Sequence, residues 1–227
     1  MRSVSSTGAT ATQYDRYRWS PNTELYDVLR TFGIGGAVRV LDLSVGKQAC
    51  APLADAGATV SAHDPQRAEQ LPFGDASFDA AICADAFHLV GDQPAAFGEL
   101  LRVVRPGGRV VLWWATLPTD CDILGHRAAA AREAGLAPAP DGLSGGFRSF
   151  YAAPFSDRAM RVVPMLLETS VEQWIGYERS RADVHNAYGS AAERWYDALE
   201  RHLVRAYGAP DARLRLRLLQ YVYIGTV

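Results

Sequence analysis

The sequence predicts an α/β fold, a doubly wound and mostly parallel sheet with helices packed on it. Three observations carry that reading. The β-branched run Val38-Arg39-Val40-Leu41 ends in Asp42 and a loop, Leu43 to Gln48, that holds Gly46. Beyond it, short apolar runs alternate with segments of helical apolar spacing, the pattern of βα units. Right-handed crossovers between parallel strands then make the sheet doubly wound.

Taken in order, Ser20-Pro21 starts a helix, with proline tolerated in its first turn. Leu25, Val28, Leu29 and Phe32 share one face of that helix, which ends at Gly33 to Gly36. Strands are expected at about 37–43, 59–62, 78–84 and 109–115. Between them, helices are expected at about 47–56 and 93–104, the second burying Phe97, Leu100, Leu101 and Val104. Pro106-Gly107-Gly108 reads as the turn into the fourth of these strands. The later chain reads as a helix at 120–134, a Pro/Gly-rich loop at 138–147 and a strand at 160–167. Two segments, Ser170 to Gln173 and Ser190 to Glu193, have capping-box spacing and open helices. A strand at 214–224 closes the chain. Residues 1–20 are expected to form a flexible N-terminal lid, and 21–227 the main domain, with cap elements at about 120–212.

The chain has 227 residues, with 25 acidic against 23 basic side chains, so no basic field points to nucleic acid. No apolar run is long enough to span a membrane. Met1 to Thr12 lacks the apolar core of a secretory signal. Cys50, Cys83 and Cys121 are too few and too widely spaced for a disulfide framework or a metal motif. A cytoplasmic protein without a metal is expected. Lys47 is the only lysine, which makes it conspicuous within the loop after the first strand.

In an open α/β sheet, ligands bind beyond the carboxyl ends of the strands. Those ends carry Asp42 to Gln48, His63-Asp64, Asp85 to His88 and Trp113 to Thr116. Four segments give the sequence its resemblance to class I S-adenosylmethionine-dependent methyltransferases. Val40-Leu41-Asp42-Leu43-Ser44-Val45-Gly46 resembles the family's first motif, and His63-Asp64-Pro65 the acidic end of its second strand. Leu71-Pro72-Phe73-Gly74-Asp75-Ala76-Ser77-Phe78-Asp79 and Leu101 to Arg109 resemble the segments before its fourth and fifth strands. Tyr14 to Arg18 and the segment Trp174 to Arg181 are similar to its small-molecule branch. The resemblance implies a Rossmann-like fold. It also implies cofactor contacts from Asp42, Ser44, Gly46 and Asp64, the last holding the ribose hydroxyls.

Two features depart from the family pattern. Ser44 and Gln48 stand where the first and third loop glycines belong. Only 13 residues separate Asp64 from Phe78, whereas a helix, an edge strand and their connections need about 20 or more. The third strand and the helix before it are therefore expected to be reduced or missing, together with a wall of the adenine pocket.

Taken together, these departures lead to the expectation of a methyltransferase-fold enzyme that uses no cofactor. It would carry out intramolecular substitution, cyclisation (aziridine-type ring closure, for example) or elimination on a small natural-product intermediate. Its candidate catalytic residues are Lys47, His63, Asp64 and His88, supplying a cation, a carboxylate and imidazoles. Candidate substrate contacts are Tyr14, Arg16, Tyr17, Asp85, Trp113 and Arg148. The alternative is an S-adenosylmethionine-dependent small-molecule methyltransferase with an altered loop. A further alternative is a non-catalytic subunit. The missing edge strand leaves an edge that a small partner protein or a second copy of the chain could cover.

Overall fold

The computed structural model describes Tyr17 and residues 22–46, 48–138 and 146–227. Its elements are α1 (Thr23–Thr31), β1 (Arg39–Asp42), α2 (Ala51–Asp55), β2 (Thr59–Ala62), β3 (Phe78–Ala84), α3 (Gln93–Val103) and β4 (Val104–Thr116). They continue with α4 (Asp122–Glu133), α5 (Gly146–Ala152), β5 (Asp157–Ser170), α6 (Val171–Ser180), α7 (Ala182–Tyr188), α8 (Ala192–Tyr207) and β6 (Arg213–Thr226). The strands form one six-stranded sheet in the order β2-β1-β3-β4-β6-β5. β1 pairs in parallel with β2 and β3, and β3 with β4. Val227, just past β6, exchanges backbone hydrogen bonds with Gly107 and Gly108 near the start of β4. The last strand therefore runs antiparallel to β4.

The expected deletion is present. Residues 65–77 hold a single 3-10 turn, Pro65–Arg67, and no strand, so β2 is an edge of the sheet. None of Thr59 to Ala62 is buried. An exposed edge is tolerated when it is short and partly polar, as Thr59-Val60-Ser61-Ala62 is. The shortened segment is held by one ion pair on α3. Arg102 donates to the carbonyl oxygens of Leu71 and Phe73 and to Asp75, and bonds Glu99, which in turn accepts the Leu71 amide. That hydrogen bonding to Arg102 keeps the Glu99 carboxyl below its usual pKa range.

The chain divides into two compact units. Among the described residues, the first comprises residues 22–46, 48–115, 146–164 and 219–227. Side chains alternate across its strands, as the two-residue period of a strand requires. One face buries Leu41, Leu43, Ala81, Cys83 and Leu112 with Phe97 and Leu100 of α3. The other buries Val40, Ala80, Ile82, Val111 and Trp113 with Leu25, Tyr26 and Leu29 of α1. At about 25 cal/mol per Å² of apolar surface, each large side chain buried this way contributes about 1.5–3 kcal/mol.

Among the described residues, the second unit comprises Tyr17 and residues 116–138 and 165–218. Its core is Ile123, Ala130, Trp174, Ile175, Trp195, Tyr196, Leu199 and Leu203 from α4, α6 and α8. A chain of buried and half-buried charges runs through it. Arg127 pairs with Glu178, Glu178 with Arg181, and Arg181 with Asp183. Such charges are tolerable only in balanced sets, and here two cations face two carboxylates. The Tyr17 ring packs against Gly176 of α6 so closely that a Cβ there would lie 2.4 Å from it.

Several expected boundaries are corrected. The helix after the loop opens at Ala51 rather than near residue 47, because residues 48–50 form turns and Cys50 supplies the first helical acceptor. The Pro106-Gly107-Gly108 turn is instead a bulge inside β4, where pairing jumps from Phe78↔Val104 to Ala80↔Arg109. Ser170 and Gln173 make both bonds of a capping box. Ser190 caps nothing: a 3-10 turn at Gly189–Ala191 precedes α8, and Ala191 takes the cap position. Residues 146–152, expected to begin as loop, are helical. The helix start at Ser20-Pro21 lies outside the described residues.

Candidate functional site

The carboxyl ends of β1, β2, β3 and β4 come together in the first unit, and the loop after β1 is built from its own side chains. Asp42 is buried, and its Oδ1 accepts the Ser44 amide at 2.8 Å. The carboxylate thus starts the loop by closing a local turn. Ser44 is buried too, and its Oγ accepts the Ala84 amide at 2.9 Å. The serine hydroxyl ties the loop to the end of β3. Gly46 has φ +83°, a conformation that glycine reaches without the steric penalty a Cβ brings. Gln48 is half-buried and its amide oxygen is out of solvent. On the far side of the loop the Tyr26 hydroxyl donates to the Ala49 carbonyl at 2.9 Å.

At the end of β2, the His63 amide donates to the Asp42 carbonyl at 2.8 Å. Its ring meets Phe73 edge-on, with centroids 5.8 Å apart, and Phe73 meets Phe78 in the same way. Asp64 is exposed, and its Oδ1 accepts the Gln66 amide, capping the 3-10 turn. That leaves Oδ2 for a ligand.

Asp85 follows β3 with φ +51°. Such a conformation costs a residue other than glycine on the order of 1–3 kcal/mol, although aspartate tolerates it better than most. The surrounding bonds hold it there. Its amide donates to the Trp113 carbonyl and its Oδ1 accepts the Ala115 amide, both at 2.9 Å. His88 is exposed on the 3-10 turn Phe87–Leu89.

The structure therefore gathers Asp42, Ser44, Gly46, His63, Asp64, Asp85 and His88 around the strand ends. Arg148 is exposed on α5, and Tyr17 packs on Gly176 in the second unit. Tyr14, Arg16 and Lys47 lie outside the described residues. Trp113 is corrected: it is 0% exposed within the core and presents no surface to a substrate. Trp114 is buried as well, against Tyr223. Tyr26 was not anticipated, because its helical spacing marks it only as apolar face. Among the described residues no three His, Cys, Asp or Glu side chains gather as metal ligands.

Residues 24–112, from α1 into β4, match the family described as methyltransferase domain. An uncharacterized methyltransferase of Mycobacterium tuberculosis is 35% identical over 131 residues, covering 49% of this chain and 52% of that protein. A demethylmenaquinone methyltransferase of a Mycobacterium species is 38% identical over 106 residues, covering 39% of this chain and 46% of the enzyme. The chain thus spans about half the length of the curated relatives it matches. A candidate type II methyltransferase from Anaeromyxobacter dehalogenans superposes with a TM-score of 0.68 at 22% identity, over 92% of this chain and 97% of that one. A candidate methyltransferase from an antibiotic biosynthesis pathway of Anabaena variabilis superposes at 0.60 with 17% identity, over 92% and 98%.

The expectation of a cofactor-free protein is overturned by these matches to methyltransferases, and the family match runs through the very segment whose departures suggested cofactor loss. The physical reason lies in the loop. Ser44 replaces a glycine without filling the crevice, because its side chain is turned into the protein and bonded to Ala84. The chain thus has the Rossmann-like fold of class I methyltransferases, and its residues 24–112 resemble the methyltransferase domain.

Proposed function

We propose that this protein is an S-adenosylmethionine-dependent methyltransferase that acts on a small molecule. The observation that carries the reading is the inward-turned Ser44, whose hydroxyl is occupied by the Ala84 amide. With that side chain withdrawn and Gly46 at positive φ, the loop keeps an open backbone toward the crevice. Asp64, exposed and with one oxygen on Gln66, suits a pair of ribose hydroxyls. Phe73, edge-on to His63, gives the shortened segment an aromatic wall beside the end of β2.

Bound S-adenosylmethionine supplies an electrophilic methyl group. The chain's own residues position it and hold the acceptor. Asp42 fixes the loop turn, and Asp85 fixes the join between β3 and β4. His88, exposed after β3, would be the residue to accept a proton from an acceptor hydroxyl or amine. Titrating isotope-labelled protein with S-adenosylhomocysteine tests the reading. The amides of Ser44, Val45, Gly46, Asp64 and Asp85 should shift together and saturate. Shifts confined to other regions, or none, would overturn it.

A further inference from the structure

At the other end of the sheet, where β1, β3 and β4 begin, a depression of about 180 Å³ opens among Phe32, Ile34, Val38, Asp79, Arg105 and Arg109. The seven residues of β3 separate it from the strand-end crevice, a distance of about 20 Å at the rise of a strand. Its charges are unbalanced. Asp79 is the one carboxylate among its lining residues, and both its oxygens are engaged. Oδ1 accepts Arg105 Nε at 2.7 Å, and Oδ2 accepts the amide and Nε of Arg39. Three guanidiniums, those of Arg39, Arg105 and Arg109, therefore stand around one saturated carboxylate. A fourth, that of Arg161, lies 5.4 Å over the Phe32 ring that forms one wall.

Arg109 is the unusual member. Its Nη1 donates to the carbonyl oxygens of Gly107 and Gly108. Its Nε is out of solvent and has no hydrogen-bond partner. Buried N–H groups are rarely left in that state, because the lost hydration is not recovered. An arginine fork is shaped for the paired oxygens of a carboxylate or phosphate. The opposite walls are apolar: Ile34 and Ala80 are buried, and Phe32 and Val38 half-buried. The depression has room for one such group and a short apolar portion. The floor is rigid, since a Cβ on Gly108 would lie 2.5–2.8 Å from Val104, Asp79 and Arg105.

We propose that this depression is a second binding site, separate from the strand-end crevice, for a small oxyanion: a carboxylate or phosphate group with a short apolar portion, held by Arg109 and Arg105. Nη2 of Arg109 and Nη2 of Arg105 supply the donors, since Arg105 Nε is held by Asp79 and its Nη1 by the Pro106 carbonyl, and the Arg109 Nε–H beside Nη2 reports on the binding. The Phe32, Ile34 and Val38 side chains exclude water and cover the apolar portion.

The test follows the arginine Nε–H resonances of labelled protein during titration with inorganic phosphate and, separately, n-butyrate, against sodium chloride at matched ionic strength. The expected result is a saturable shift of Arg109 Nε–H with a dissociation constant on the order of 1 mM. Arg109→Gln should abolish the saturable response. Val38→Glu keeps every arginine and places a like charge at the mouth, so it should weaken binding about tenfold. Val38→Glu alone decides the matter if Arg109→Gln fails to fold. Saturating S-adenosylhomocysteine should leave the anion response unchanged. The proposal fails if neither probe exceeds chloride, if Val38→Glu binds as the unaltered protein does, or if S-adenosylhomocysteine abolishes the response. In the first of these cases Arg109 serves only to pin the bulge at Gly107 and Gly108.

Discussion

Ser44 Oγ accepts the backbone amide of Ala84 at 2.9 Å, so the loop after β1 is fastened to the end of β3 by a side chain where glycine is usual in the family. The substitution replaces conformational freedom with a specific bond. Ser44→Ala should leave the Ala84 amide buried and unpaired, lowering stability by about 1–3 kcal/mol. Ser44→Gly should cost a further ~0.5–1 kcal/mol in backbone entropy. Urea denaturation of the two variants checks both values. If Ser44→Ala is neutral, the bond has no structural weight.

Asp64 provides a test of ribose recognition. Asp64→Asn can still cap the Gln66 amide with its carbonyl oxygen, so stability should change little. The charge-assisted bonds to a ribose are lost, and affinity for S-adenosylhomocysteine should fall about 10- to 100-fold. Equilibrium binding of the variant measures this, and an unchanged affinity would remove Asp64 from the site.

The contact between Tyr17 and Gly176 predicts a pair of coupled substitutions. A Cβ on Gly176 would lie 2.4 Å from the Tyr17 ring, so Gly176→Ala should cost about 1–3 kcal/mol by overpacking. In a Tyr17→Ala background the same change should cost far less. Equal costs in the two backgrounds, measured by denaturation, would show that the residues are not coupled.

Asp79 predicts the acid behaviour. The Arg39 amide and then the Arg105 guanidinium lower its pKa from 3.8 to about 2. A lowered carboxyl pKa adds stability that is fully present above the unfolded value. That stability is lost as pH falls through the folded value. With the side chain 20% exposed, the contribution is on the order of 2 kcal/mol. Asp79→Asn should remove it at neutral pH and flatten the loss of stability between about pH 4 and pH 2. An unchanged acid profile would contradict the assignment.

Much of this fold is legible in the chain. Phe78 to Ala84 and Thr59 to Ala62 are strands at the residues expected, because apolar runs bounded by turn residues specify them locally. The lost edge strand follows from chain length alone, since 13 residues cannot hold what the family places there. The loop was harder to read. Which way Ser44 points depends on an amide 40 positions away, and sequence spacing carries no trace of it. The same limit misplaced Trp113, since alternation along β4 put one of two tryptophans in the core and the packing buries both. At Ser190 the capping spacing is present, but Gly189 at φ +51° starts a 3-10 turn first.

Direct calorimetric titration with S-adenosylmethionine is the measurement closest to the central claim. The account predicts one saturable site of micromolar affinity, with thermal stabilisation of about 2.7 kcal/mol when ligand reaches 100 times its dissociation constant. No heat of binding and no thermal shift at millimolar ligand, in protein shown to be folded, would contradict it.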